Sequence, residues 1–139
     1  MEGYKHKTPI QIRFKDVDAF KHVNNANHFT YLELARVKYF DDVAGQDMNW
    51  SKQGIILANA KVDYTLPILF KDTIFIYTKC SRIGNKSFDL AYKIIKEENG
   101  KEILMAEAST VLVCYDYEKG KSIPMPDPWV QKLRSYDNL

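Results

Sequence analysis

Long apolar runs are missing from this chain, and so are most of the features that would announce a specialised protein class. No uninterrupted apolar stretch approaches the ~20 residues that a membrane-spanning helix needs. The opening residues, Met1-Glu-Gly-Tyr-Lys-His-Lys, hold no apolar segment of the signal-peptide kind, so the chain is expected to be soluble and cytoplasmic. There are only two cysteines, Cys80 and Cys114, both inside apolar, β-rich runs and without CxxC spacing. Buried free thiols are therefore expected, with a disulfide as the alternative. Twenty basic residues against 18 acidic ones leave a net charge of +2, too little for the basic stripe of a nucleic-acid binder, though compatible with an anionic small ligand. No Gly-rich phosphate loop and no Gly-x-Ser-x-Gly elbow occurs. Asp16, Asp18, His22 and His28 match no standard metal-ligand spacing, so no metal is expected.

With 139 residues, 45% of them hydrophobic, the chain suits one domain spanning 1–139. It is organised around residues 13–36. Residues 9–18 alternate, with Ile10, Ile12, Phe14, Asp16 and Asp18 on one side, which predicts a half-buried strand ending in two carboxylates. The alternative is a strand ending near Lys15, with both aspartates in the loop. Asn24, Asn25 and Asn27 are N-cap candidates for a helix running to Val43 and stopped by Gly45. Phe29, Leu32, Ala35, Tyr39, Phe40 and Val43 share one arc, while Tyr31, Leu34 and Val37 point elsewhere, so the helix is expected to be surrounded by protein. Glu33 and Arg36, three apart, are expected to pair.

The remainder reads as sheet. A loop containing Trp50 leads to a strand at 55–64, with Ala58, Ala60, Val62 and Tyr64 on one face. Residues 73–96 form a hairpin turning at Gly84-Asn85, and Asn99-Gly100 turns into a long strand over 101–115. Pro124, Pro126 and Pro128 end the sheet before a short terminal helix at 129–136. One helix with an antiparallel sheet curled around it is an α+β domain, and a free sheet edge predicts self-association.

The pattern Asp-x-Asp-x-x-x-His-Val-Asn-Asn at 16–25, followed by Glu-x-Ala-Arg at 33–36, resembles the hot-dog fold acyl-CoA thioesterases, in particular the 4-hydroxybenzoyl-CoA thioesterase branch. The likeness continues through Tyr64-Thr-Leu-Pro67, Asp72, the 82–88 turn and the 106–113 strand. It implies a hot-dog fold, an antiparallel sheet wrapped around one long helix, assembled as a homodimer or a dimer-of-dimers homotetramer with sites at the dimer interface. It implies Asp18 as the catalytic carboxylate, the backbone N–H near Asn25 as the group polarising the thioester carbonyl, and Tyr64 at the substrate. It implies an acyl-CoA hydrolase that needs no cofactor, CoA being part of the substrate; the small net charge and the lack of a spanning run predict no nucleic-acid and no membrane partner. One position departs from the family: many relatives carry Gly before the His, where this chain has Lys21, a change expected to alter the loop or narrow acyl access.

These residues suit the chemistry. A carboxylate at Asp18 can deprotonate water or attack the carbonyl itself. Free N–H groups at a helix start can hold the developing oxyanion. His22 is a candidate for orienting the loop, bonding Asp16 or assisting the leaving group, whereas His6 and His28 read as surface or packing residues. Arg82, Lys86 and Ser87, flanking the Gly-Asn turn, are candidates for the CoA phosphates, or else ordinary solvated hairpin residues. Two rival functions remain open: hydrolysis of acyl groups carried on acyl carrier protein, and a non-catalytic acyl-binding module.

Overall fold

The computed structural model describes residues 1–45 and 52–139. The expected loop position of Trp50 lies outside them. The chain forms β1 (His6–Ile10), a 3-10 turn (Phe14–Asp16), α1 (Asn25–Val43), β2 (Gln53–Tyr64), β3 (Thr73–Ile83), β4 (Ser87–Glu98), β5 (Lys101–Asp116), β6 (Lys121–Ser122) and α2 (Asp127–Asp137). The strands make one antiparallel sheet in the order β1-β3-β4-β5-β2, with β6 paired to β5.

The sheet curls around α1. Tyr31, Leu32, Ala35, Tyr39 and Phe40 pack into one core with Ile74, Ile76, Phe88, Leu90, Tyr92 and Ile94 from the sheet and Trp129 and Leu133 from α2. Cys80 and Cys114 are buried free thiols, as their apolar settings predict; burial pushes both thiols up, to about 12 and about 11. A smaller cluster, Phe75, Tyr77 and Ile95, packs with Tyr4 and Leu104.

Three sequence expectations need correction. The first strand ends at Ile10, well before either aspartate. Ile12 still reaches the core, but Phe14, the next residue in the alternation, is 84% exposed. The chain turns there because the Asp16 carboxylate reaches back to the N–H of Arg13 at 3.0 Å. Secondly, α1 is not surrounded within one chain: Phe29, Leu34 and Val37 are exposed, whereas Tyr31 is buried. Finally, no ion pair joins Glu33 and Arg36 among the described residues; Arg36 instead donates to the Tyr92 hydroxyl at 3.5 Å.

Strand β2 also departs from simple alternation. Ala58 is an extra residue between Leu57, opposite Leu112, and Asn59, opposite Val111. A bulge of this kind reverses which residues face inward. Ile55 and Val62, an odd number of residues apart, accordingly pack against the same core. The far edge of β2 has no strand partner among the described residues, and it exposes Ile56, Leu57 and Tyr64.

Candidate active site

Residues 16–24 fold as a small hairpin beside the start of α1. Val17 and Val23 face each other in a β-bridge. Asp18 N–H donates to the His22 carbonyl at 2.8 Å and Asn24 N–H to the Asp16 carbonyl at 2.8 Å. The hairpin is stitched to the segment after β2 by Val23 N–H donating to the Ile68 carbonyl at 2.8 Å. These bonds set Asp18 opposite His22, and Asp16 opposite the helix cap, one residue from Asn25.

Asp16 ties this arrangement together. It is 1% exposed, and its carboxylate accepts bonds from the Arg13 backbone, the Arg13 guanidinium at 2.9 Å and the Tyr31 hydroxyl at 2.8 Å. Its backbone carbonyl also takes the Asn27 side-chain amide at 3.0 Å. Burial alone would push this carboxyl up, but the bonds from Arg13 and Tyr31 outweigh it and hold the group below the ordinary aspartate value. Burial and the Asp16 carboxylate together push the Tyr31 hydroxyl well above its usual range. Sequence reasoning left Asp16 as a strand-end or loop carboxylate. The signals for its role were Arg13 three residues before it and a tyrosine, Tyr31, early in the helix.

Asp18 is engaged differently. It is half-buried. Its Oδ1 accepts the Phe20 N–H at 2.9 Å, and no bond to its second oxygen is found among the described residues. One carboxylate oxygen is thus pinned by the loop and the other is open to water or substrate.

The helix start is selective about which donors it leaves open. The Asn24 side chain caps Ala26 N–H at 2.9 Å, and the Asn24 carbonyl takes Asn27 N–H at 2.9 Å. Asn25 N–H has no such partner among the described residues. The first turn carries no acidic side chain, so nothing there neutralises the positive end of the helix dipole. Tyr64, at the end of β2, donates its hydroxyl to the Asn25 carbonyl at 2.9 Å and meets the edge of the buried His28 ring at 4.7 Å. Burial holds the His28 imidazole below its ordinary value, and no hydrogen-bond partner for its Nδ1 is found among the described residues. A cavity of about 220 Å³ opens here, lined by His22, Asn25, His28, Tyr64 and Leu66 among others.

The departure at Lys21 resolves in conformational terms. Lys21 sits at φ 67°, the left-handed region, which is where glycine is at ease and a side chain is strained. The turn is kept all the same, since Lys21 N–H donates to the Asp18 carbonyl at 2.9 Å. Lys21→Gly should therefore raise stability by about 0.5–1 kcal/mol, the relieved strain offset in part by glycine's extra unfolded-state freedom. A thermal melt with no rise, or a fall, would contradict this.

Not every expected residue converges. The His22 side chain is exposed and makes no bond to Asp16, whose carboxylate is taken by Arg13 and Tyr31. His6 and His28 are buried; His6 bonds Asp42 at 2.8 Å, clasping β1 to α1. Arg82 donates to Ser87 Oγ at 3.1 Å and pairs with Asp89 at 2.9 Å, and Lys86 is exposed. These three residues cluster at the β3–β4 turn, at the opposite end of β3 from Thr73, about 30 Å along the strand. Within one chain they do not join Asp18, Asn25 and Tyr64. No group of three or more His, Cys, Asp or Glu side chains gathers as metal ligands among the described residues.

Comparison with known proteins bears on this geometry. A family model described as the thioesterase-like superfamily matches residues 12–133. The long-chain acyl-CoA thioesterase FadM of Escherichia coli (strain K12) is 27% identical over 131 residues, covering 91% of this chain and 96% of FadM. The uncharacterized protein YsmA of Bacillus subtilis (strain 168) is 29% identical over 119 residues, covering 85% of this chain and 78% of YsmA. Among solved structures, a thioesterase from Thermus thermophilus complexed with coenzyme A and Zn superposes with a TM-score of 0.83 at 29% identity, covering 100% of this chain and 98% of that one.

Proposed function

The chain belongs to the thioesterase-like superfamily, and on that premise we propose that it hydrolyses acyl-CoA thioesters to free CoA and a carboxylic acid. The observation that carries this reading is that the 16–24 hairpin holds beside one helix start an Asp18 carboxylate oxygen and an Asn25 N–H for which no bond is found among the described residues. Asp18 takes a proton from water, and the hydroxide attacks the carbonyl carbon. The charge that moves onto the carbonyl oxygen meets the Asn25 N–H and the positive helix end. Collapse of the tetrahedral intermediate expels the CoA thiolate, a good leaving group that needs no strong acid. Direct attack by Asp18, through a mixed anhydride, uses the same two groups. Tyr64 anchors the first turn just past this N–H, through its bond to the Asn25 carbonyl.

The working unit in this reading is a homodimer paired through the free edges of β2. An antiparallel pairing of two β2 strands lays the start of one beside the end of the other. Ile56 and Ser87 are both opposite Val113, so the β3–β4 turn lies at the starting end of β2, while Tyr64 lies at its finishing end. The partner subunit's turn would thereby approach this chain's Asp18 and Asn25, bringing basic groups toward the CoA phosphates. The exposed Phe29, Leu34, Val37, Ile56 and Leu57 supply apolar surface for the contact.

Release of free thiol from short, medium, long and aromatic acyl-CoAs tests the activity. Turnover confined to acyl groups on acyl carrier protein would transfer the reading to that substrate, and a folded dimer with no turnover on either would leave a binding module. Reversing charge in Arg82→Glu/Lys86→Glu should raise KM for acyl-CoA about tenfold, the equivalent of one lost charged contact, with kcat little changed. An unchanged KM would remove the turn from the CoA site.

A further inference from the structure

Three loops that meet beside the candidate site each present a phenylalanine followed by a lysine: Phe14-Lys15, Phe20-Lys21 and Phe70-Lys71. Phe14 is 84% exposed, Phe20 80% and Phe70 43%, and the Phe14 and Phe70 rings meet edge to face at 5.9 Å. Leu69 is exposed beside Phe70. Phe20 sits at the tip of the hairpin whose His22 bridges to Leu69. Rings left this bare lose contact with water only if something else covers them.

The unpaired charges around the rings are predominantly positive, three lysines against the Asp18 carboxylate. Lys15, Lys21 and Lys71 have no ion-pair partner among the described residues. Of the neighbouring carboxylates, Asp16 is engaged with Arg13 at 2.9 Å and Asp72 with Lys96 at 3.2 Å, so Asp18 stands against three lysines and the patch keeps a positive excess. A second copy that covers this patch with its own matching patch is a poor fit, because a two-fold contact of that kind sets lysines against lysines. An occupant that is apolar within and negative at its surface matches both features. We propose that the Phe14, Phe20 and Phe70 loops dock on an anionic lipid surface, with the rings entering the headgroup boundary and the three lysines meeting lipid phosphates.

A surface contact of this kind needs no spanning helix, and none of the helices among the described residues is long and apolar enough to span. It goes beyond the expectation of no membrane partner, which rested on the lack of a spanning run. Phe20 lies two residues from Asp18, so docking would turn the site toward the phase into which long-chain acyl groups partition. That last consequence rests on the hydrolase reading; the docking itself does not.

The test is co-sedimentation of the full chain with phosphatidylcholine vesicles, with and without a one-third share of phosphatidylglycerol. The vesicles contain no thioester, so the result is independent of whether the chain is a hydrolase. Binding is expected only with the anionic lipid, weakening as salt rises. Each lysine is worth about fivefold in partitioning. Phe14→Ser/Lys15→Glu should therefore lower it about tenfold or more, and Lys71→Glu should also weaken it, whereas Lys119→Glu, on the distant turn after β5, should change it little. Phe14 is so exposed that the double variant should fold, which circular dichroism checks. No binding to anionic vesicles, or equal losses in the Lys119 variant, would overturn the proposal. So would a patch variant that changes the sedimentation coefficient of the free protein while leaving vesicle binding intact, since the patch would then be covered by another copy of the chain.

Discussion

Asp18→Asn is expected to lower kcat for acyl-CoA hydrolysis by about 10³-fold or more, leaving the thermal melt within about 2 °C of the parent. The amide keeps the shape of the side chain, and its oxygen still accepts the Phe20 N–H that pins Oδ1 at 2.9 Å. The hairpin therefore has no reason to rearrange. What disappears is the basicity and nucleophilicity of the second oxygen. Both routes open to Asp18, deprotonating water and attacking the carbonyl, fail together in the amide. Label from ¹⁸O-water found in the Asp18 carboxylate after a single turnover would identify the anhydride route, with water attacking the Asp18 carbonyl of the anhydride.

Asp16 should give the opposite profile, a large loss of stability. Asp16→Ala removes the acceptor for the Arg13 backbone, the Arg13 guanidinium and the buried Tyr31 hydroxyl at once. An orphaned buried hydroxyl and a broken partly buried ion pair together cost about 3 kcal/mol, a fall of roughly 10 °C in the melt of a chain this size. Activity should fall as well, because the side-chain bonds to Arg13 and Tyr31 set the turn whose backbone carbonyl takes Asn24 N–H and the Asn27 amide at the helix start. Tyr31→Phe made in the Asp16→Ala background should recover part of the lost stability, because it removes the orphaned hydroxyl, a coupling that a double-mutant cycle would read directly. Additive losses from the two substitutions would contradict the direct Asp16–Tyr31 bond.

The same residue sets a pH dependence. The folded carboxyl of Asp16 lies below its unfolded value. Its contribution to stability is thus present above the unfolded pKa of about 4 and is lost as pH falls through the folded one. Parent protein should lose stability in that acid range more steeply than Asp16→Ala, and parallel acid titrations of the two would contradict the assignment.

Much of the architecture was legible in the sequence. Alternation from Phe88 to Ile94 and the Asn99-Gly100 turn marked β4 and the start of β5, and the asparagines before α1 marked its start; Asn24 does cap it. The failures share a physical origin. Period-two alternation continues on paper through Ile12 and Phe14 to both aspartates, yet a side-chain bond from Asp16 turns the backbone before the pattern ends. The bulge at Ala58 changes facing without any residue that announces it. The apolar residues of α1 cover most of its sides, but the sheet reaches only part of them and leaves Phe29, Leu34 and Val37 exposed, which spacing along the helix does not reveal. The placement of Arg82, Lys86 and Ser87 far from Asp18 is likewise a property of the sheet, set by strand register rather than by any local signal.

Asp18 acting on an acyl-CoA thioester is the central claim. Steady-state thiol release from a panel of acyl-CoAs, measured side by side for the parent and for folded Asp18→Asn, tests it most directly. Turnover by the parent on at least one acyl-CoA, lost about 10³-fold in the variant with its melt preserved, is the predicted result. Comparable turnover by the two proteins would contradict that role for Asp18.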